Sequence, residues 1–214
     1  MTVSKTSLID NRYTVADFRA RAAERARPIQ HGDFGDHHLN PDAKELFLSG
    51  KMRDAAVLIP VVDRPDMPTV LLTQRTMKLR THSGQIAFPG GRIDPEDHDA
   101  ETAAMRECEE ETGIGPEHVE IVGRLPEYMA GSGFRIAPIL SVLEPGFTLK
   151  PNPHEVDAVF EVPLAFLMDE ANHAQGSRIV GGHMRHYFEM PYEDWHIWGV
   201  TAGIIRVMYE RLYT

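Results

Sequence analysis

Three glutamates fall on one side of a short predicted helix and form the chemically most informative feature of this chain. At about 100° per residue, Glu107, Glu110 and Glu111 lie within an arc of roughly 100°, whereas Glu109 points to the opposite side. Like charges at this spacing repel each other by about 0.2–0.5 kcal/mol per pair, so the arrangement is unfavourable without a neighbouring cation. Hard divalent cations prefer oxygen ligands, and the spacing therefore predicts a divalent-metal site.

A group of basic residues precedes the acidic helix. Arg75, Lys78, Arg80 and Arg92 lie close together in sequence, although the chain carries a formal net charge of -10 at pH 7. The overall negative charge argues against a nucleic-acid partner, because nucleic-acid phosphates would be repelled without a dominant basic patch. A small anionic substrate needs only local positive charge, and this group could supply it.

The acidic helix has recognisable ends, which fix where its glutamates point. Asp99 is a good N-cap, Glu101 suits the positive first turn, and Gly113 is typical of the residue that ends a helix. Upstream, Gly90 and Gly91 allow a close backbone approach between a strand and a loop, which a side chain would prevent.

The remaining elements follow from the spacing of apolar residues and from turn residues. Strands are predicted at 55–62, 69–73, 85–88, 119–125, 136–143, 156–163 and 186–191, the first two forming a hairpin. Helices are predicted at 15–27, shortly after Pro41, at 164–170 and at 197–212. The loop 126–135 contains two glycines, and we expect it to form a lid or an edge of the substrate site.

Composition limits the class of protein. With 214 residues and 42% hydrophobic content, the chain can bury one substantial core, and we expect an N-terminal helical extension at 1–48 and one catalytic domain at 49–214. The single cysteine, Cys108, excludes an intrachain disulfide framework, and we expect it to be a buried small hydrophobe. The longest apolar run, 55–62, is too short to span a bilayer, so the sequence predicts a cytoplasmic protein without a membrane partner.

The acidic helix and the glycine before it resemble a known motif. Gly91, Asp97 and the pattern Arg106-Glu107-x-x-Glu110-Glu111-x-Gly113 are similar to the Nudix box. The resemblance implies that Glu107, Glu110 and Glu111 hold Mg²⁺ or Mn²⁺ and that Arg106 orients them. The general box has a glutamate where Asp97 stands, and it has one residue fewer between that position and the arginine.

A second resemblance narrows the family. Residues 71–91, which run from Leu71-Leu72-Thr73-Gln74-Arg75 to Phe88-Pro89-Gly90-Gly91, look like the additional signature of the coenzyme A diphosphatase branch of Nudix hydrolases. That branch has the same longer spacing and an aspartate in its box, and segments 152–156 and 197–202 are also similar to it. The resemblance implies an α+β Nudix fold, an α/β/α sandwich with a mixed, curved sheet between helices. It also implies cleavage of a small coenzyme A-type molecule to 3',5'-ADP and 4'-phosphopantetheine.

The resemblance and the charges together give a set of candidate site residues. Glu111 is the first choice for the catalytic base, Glu155 and Glu127 are alternatives, and Glu110 and Arg106 complete the candidate catalytic set. The candidate substrate-binding residues are Arg75, Arg80, Gly91 and Arg92. The arginines suit phosphate groups, because a guanidinium binds phosphate oxygens in a bidentate manner.

Several questions stay open at the level of sequence. A Nudix hydrolase of ADP-ribose, a dinucleotide or a nucleoside triphosphate is one alternative, because fold and box do not fix specificity. A non-catalytic nucleotide-binding module is another, although all three box glutamates are present. The preferred form of coenzyme A, the identity of the base and the number of metal ions are undecided. The N-terminal extension could cover the core or form a homodimer.

Overall fold

The fold is α+β, as predicted, with a mixed β-sheet between helices. The structure is a computed structural model that describes residues 11–25, 34–45, 50–79 and 81–214. The centre of the sheet is formed by β2 (Arg53–Val62), which pairs in parallel with β8 (Phe134–Leu143). Next to them lie β3 (Thr69–Arg75) and β9 (Val156–Pro163), which pair in antiparallel fashion with each other.

Shorter strands complete the sheet around these four. They are β1 (Phe34–Gly35), β4 (Ile86–Ala87), β5 (Gly90–Arg92), β6 (Val119–Arg124) and β7 (Tyr128–Ala130). Strand β5 pairs with β2, β6 with β8, and β4 with β3. The predicted hairpin is confirmed, because β2 and β3 pair in antiparallel fashion through Val61 and Val70.

The central strands are apolar on both faces because both faces are covered. In β2, Ile59 and Val61 belong to one core, which also contains residues of α1 (Val15–Arg25) and α4 (Val200–Leu212). Leu58 and Val62 belong to the opposite core, which lies under α2 (Ala100–Thr112). These two cores give the expected α/β/α layers.

Helix α2 has the predicted ends and packs closely on the sheet. The Asp99 side chain accepts a hydrogen bond from Thr102 N at 2.8 Å, and Gly113 ends the helix with φ = 77°. Ala103, Ala104 and Cys108 are fully buried beneath it. The small side chains let the helix lie close to β2, and the prediction that Cys108 is a buried hydrophobe is confirmed.

A second, three-stranded sheet was only partly predicted. It is antiparallel and consists of β10 (Ala174–Val180), β11 (His183–Tyr192) and β12 (Trp195–Trp198). Of these strands, only β11 was expected. The last helix was expected to begin at Ile197, but Ile197 belongs to β12 and the helix begins at Val200. The loop expected at 126–135 is interrupted by β7, whose three residues are buried, so this part is not a lid.

The other helical segments given in full by the described residues are short. They are α3 (Leu164–Leu167) and single 3-10 turns at Asn11–Tyr13, Asp36–His38, Pro41–Ala43, Pro116–His118 and Glu170–Asn172. Part of the helix predicted after Pro41 lies outside the described residues. Positions 26 and 27 of the first predicted helix also lie outside them. Within the described part of the chain, no helix is long and apolar enough to cross a membrane.

Helix α1 packs against the main core. Val15, Phe18 and Ala22 are buried in the core that also contains Leu212 of α4. The Arg21 side chain donates a hydrogen bond to the Leu212 carbonyl at 2.8 Å. The first described helix of the expected N-terminal extension therefore shares its core with the rest of the molecule.

We predict that Phe18→Ala lowers the free energy of unfolding by about 3–5 kcal/mol, because it empties a fully buried site in the shared core. Urea denaturation followed by far-UV circular dichroism measures this effect. Glu24→Ala is the control, since Glu24 is exposed on the same helix and its loss should change stability by no more than about 0.5 kcal/mol. An unchanged main transition in Phe18→Ala would show that α1 unfolds independently.

Candidate metal-binding and catalytic site

Three carboxylates meet beside α2. One oxygen from each of Glu107, Glu111 and Glu155 lies within 4.8 Å of the others. Two of these residues are on α2, and the third is in the loop that leads into β9. Glu111 is 1% exposed, whereas Glu107 and Glu155 are half-buried. We refer to these three residues as the carboxylate group.

Hydrogen bonds to the end of α2 bring Glu155 into the carboxylate group. Lys150 N donates to the Thr112 carbonyl at 2.8 Å, and Asn152 N donates to the Glu111 carbonyl at 3.1 Å. The Asn152 side-chain amide then donates to Oε1 of Glu155 at 3.3 Å. The loop is thus fixed to the free carbonyls at the helix end, which would otherwise need other partners.

The glycine pair makes room for the carboxylate group. Gly91 lies opposite Ala56 of β2, and a Cβ atom at Gly91 would overlap the Glu107 carboxylate. A Cβ at Gly90 would overlap the backbone of Ala56 and Val57. The neighbouring backbone therefore requires glycine at position 90, as the sequence suggested, and Gly91 leaves the space that the Glu107 carboxylate occupies.

Arg106 connects several parts of the site. Its Nε and Nη2 atoms donate to the two carboxylate oxygens of Asp97 at 3.0 and 2.8 Å, and Nη1 donates to Glu107 at 2.9 Å. The Arg92 carbonyl also accepts a hydrogen bond from Nη2 at 3.2 Å. Hydrogen bonds from Arg106 hold the pKa of Asp97 below its usual range. Asp97 therefore holds Arg106 in place and lies outside the carboxylate group.

Glu110 occupies a more peripheral position than its spacing suggested. Its carboxylate lies 3.5 Å from Nη1 of Arg106, and its side chain is 53% exposed. Within the described residues, Glu110 is absent from the carboxylate group, in which Glu155 takes the third place. Helical spacing identified Glu107 and Glu111 as neighbours, but it could not reveal a carboxylate supplied by a distant loop.

The carboxylate group fits a divalent cation. Burial raises the pKa of Glu111 to about 8, although the Arg75 guanidinium opposes the shift, and nearby Glu107 adds to it. Burial also raises the pKa of Glu107, against a hydrogen bond from Arg106. Among the described residues, Oε2 of Glu111 is buried without a hydrogen-bond partner. Buried carboxylate oxygens that face one another are expensive unless a cation neutralises them.

The candidate substrate-binding arginines lie in different environments. Arg75, at the end of β3, places Nη1 3.5 Å from Oε1 of Glu111 and is therefore directed at the carboxylate group. Arg92 is exposed at the end of β5, close to Arg106. Arg80 lies outside the described residues.

Glu127, one of the alternative bases, lies apart from the carboxylate group. Its carboxylate is 3.3 Å from Arg124 and 3.8 Å from Arg135. Together with Asp54, these residues line a separate cavity of about 250 Å³. Glu127 is thus part of a structural ion-pair network.

Comparison with known proteins shows that a family model matches more than half of the chain. The model of the NUDIX domain matches residues 52–181. A relative from Escherichia coli K12, described as an uncharacterized Nudix hydrolase NudL, is 43% identical over 154 residues, which are 72% of this chain and 80% of the relative. The corresponding protein of Shigella boydii is 42% identical over the same length.

Two solved structures are similar to parts of the chain. An Ap4A hydrolase from C. elegans, in a binary complex, is 25% identical and covers 53% of this chain and 82% of its own, with a TM-score of 0.45. The NUDIX domain of NrtR from Shewanella oneidensis, in complex with ADP ribose, is 18% identical. The match covers 80% of this chain and 98% of the NrtR domain, with a TM-score of 0.48. The domain match and the identity to NudL show that the chain belongs to the Nudix hydrolase family.

Proposed function

We propose that this protein is a Mg²⁺- or Mn²⁺-dependent diphosphatase that cleaves coenzyme A or an acyl derivative to 3',5'-ADP and the corresponding 4'-phosphopantetheine. One observation carries the proposal: the signature at 71–91 is in direct contact with the carboxylate group. Arg75 pairs with Glu111, and Thr76 N donates to the Glu155 carbonyl at 2.8 Å. Two residues of the segment that resembles the coenzyme A branch thus contact the carboxylate group, which supports the proposal.

The carboxylate group would hold the metal. Glu107, Glu111 and Glu155 offer the oxygen ligands that Mg²⁺ and Mn²⁺ prefer, with Glu110 close enough to add to the negative charge. The metal would supply positive charge against the diphosphate oxygens, which repel an attacking water. Arg106 orients Glu107 through its hydrogen bond and is itself fixed by Asp97.

The two best candidates for the proton acceptor differ in exposure. Glu111 is buried and faces Arg75, so it is better placed as a ligand than as a base. Glu155 is half-buried, and the Asn152 amide holds one of its carboxylate oxygens. We propose that Glu155 faces the metal with one carboxylate oxygen and accepts the proton of the attacking water with the other, because a general base must be within reach of that water.

Arg92, which is exposed, is a better candidate than Arg75 for binding a substrate phosphate. Arg92 is exposed at the end of β5 and directly follows Gly91, and among the described contacts its side chain has no carboxylate partner. Arg75 instead neutralises Glu111. We propose that Arg92 binds the diphosphate in the ground state, whereas Arg75 positions Glu111 for the chemical step.

We predict that the purified protein, with Mg²⁺ or Mn²⁺, releases 3',5'-ADP from coenzyme A in preference to cleaving ADP-ribose, NADH or nucleoside triphosphates. Product analysis by chromatography measures this preference, and EDTA should abolish turnover. Glu155→Gln should lower kcat by about 10²–10⁴-fold, the usual contribution of a general base. Glu111→Gln should abolish measurable turnover.

Glu109→Gln is the matched control, because Glu109 is exposed on the opposite side of α2 and should be dispensable. Preferential cleavage of ADP-ribose or NADH would keep the Nudix chemistry and reject the coenzyme A assignment. Absence of turnover on every compound would favour a nucleotide-binding module.

We predict that Gly91→Ala lowers kcat at least about tenfold, because the added Cβ would displace the Glu107 carboxylate from the carboxylate group. Glu109→Gln again serves as the control, since Glu109 is exposed on the opposite side of α2. Steady-state kinetics and thermal unfolding are measured on both variants. Unchanged kinetics in a folded Gly91→Ala variant would show that Glu107 does not require its observed position.

We predict that replacing the two arginines affects different kinetic constants. Arg75→Gln should lower kcat about tenfold with little change in KM, because it disturbs a residue that acts in the chemical step. Arg92→Gln should mainly raise KM. If Arg75→Gln raised KM and left kcat intact, Arg75 would be a substrate ligand, as the sequence alone suggested.

A further inference from the structure

A cavity of about 550 Å³ lies between the tip of the β10–β11 hairpin, the turn joining β7 to β8, and the segment before β2. It is lined by Gly50, Lys51, Met52, Gly131, Gly133, Val180, Gly181, His183 and Arg185. Its three titratable residues, Lys51, His183 and Arg185, are basic, and none of the described lining residues is a carboxylate. We refer to it as the basic cavity.

The basic lining is unusual for this molecule. The whole chain has a formal net charge of -10, and the smaller cavity beside Glu127 combines two arginines with two carboxylates. A concave surface of one charge sign concentrates ligands of the opposite sign. The basic cavity therefore suits an anionic group, and its volume is typical of small-molecule sites.

The basic cavity lies just before the start of β2, the strand that pairs with β5. Met52 is two residues before Asp54, whose carbonyl accepts a hydrogen bond from Ile93 N at 3.1 Å. Ile93 directly follows Arg92, the proposed diphosphate ligand. Because Ala55 pairs with Arg92, strand spacing and rise place Met52 roughly 11 Å from the Arg92 backbone. A ribose phosphate could bridge a gap of that order.

Hydrogen bonds fix the walls of the basic cavity. The Asp36 carboxylate accepts hydrogen bonds from Gly131 N and the Tyr128 hydroxyl, both at 2.7 Å. On the hairpin side, the Asn40 side chain donates to the His186 carbonyl and accepts from His186 N, both at 2.9 Å. The segment 34–40 thus holds both the β7–β8 turn and β11 in place.

We propose that the basic cavity binds the second, non-reacting phosphate of the substrate, a phosphate monoester on its nucleoside half. Lys51 and Arg185 would donate hydrogen bonds to this phosphate, and charge-assisted hydrogen bonds of this kind are strong. This inference rests on the proposed function and explains how coenzyme A is distinguished from a dinucleotide that lacks such a phosphate. Specificity arises because a substrate without this phosphate lacks the charge-assisted hydrogen bonds that the phosphate would form in the basic cavity.

The test compares coenzyme A with 3'-dephospho-coenzyme A. We expect the wild-type protein to prefer coenzyme A in kcat/KM by about tenfold or more. Lys51→Gln and Arg185→Gln should each reduce that preference several-fold through a higher KM for coenzyme A. Arg19→Gln removes the same charge from a surface ion pair with Glu120 and should leave the preference unchanged.

A binding measurement separates this inference from the proposed function. Isothermal titration calorimetry with 3',5'-ADP and 5'-AMP should show tighter binding of 3',5'-ADP, and the advantage should shrink in Lys51→Gln and Arg185→Gln. Thermal unfolding verifies that each variant is folded. Hydrolysis of coenzyme A with an unchanged preference in both variants would overturn the inference and leave the proposed function intact. Absence of coenzyme A hydrolysis, with selective 3',5'-ADP binding retained, would overturn the proposed activity alone.

Discussion

The buried carboxylate of Glu111 is the constraint on which the rest of the site depends. A carboxylate that is 1% exposed is costly unless positive charge lies close to it, and burial accordingly raises its pKa. Arg75 supplies part of that charge from β3, and the approach of Glu107 and Glu155 increases the need for more. A helix, a strand and a loop must therefore meet at one point, and a divalent cation would offset the repulsion that their carboxylates create there.

The scaffold keeps these groups together through contacts that carry no charge. Small residues under α2 bring the helix close to β2, and Gly91 lets β5 pass beneath the Glu107 carboxylate. Hydrogen bonds from the loop at 150–152 to the end of α2 fix Glu155 in the same region. Positioning of this kind matters because the attack of water on a diphosphate depends mainly on orientation and charge.

The N-terminal part of the chain contributes to both the core and the proposed substrate site. Helix α1 supplies Phe18 to the main core, and Asp36 and Asn40 connect the β7–β8 turn to β11. The boundary expected at 48 and 49 therefore separates segments that are packed together. This packing explains why the proposed basic cavity can have fixed walls, although its lining comes from three distant parts of the sequence.

The sequence by itself determined the features that depend on neighbouring residues. Helical spacing, the cap at Asp99 and the stop at Gly113 predicted α2, and apolar runs predicted the central strands together with the β2–β3 hairpin. The tertiary structure decided the pairing of Asp97 with Arg106 and of Arg75 with Glu111, and it brought Glu155 into the carboxylate group in the position expected for Glu110. It also formed β10 and β12 of the second sheet, which are stabilised by pairing with β11. These features depend on packing between segments far apart in the chain, which local periodicity does not encode.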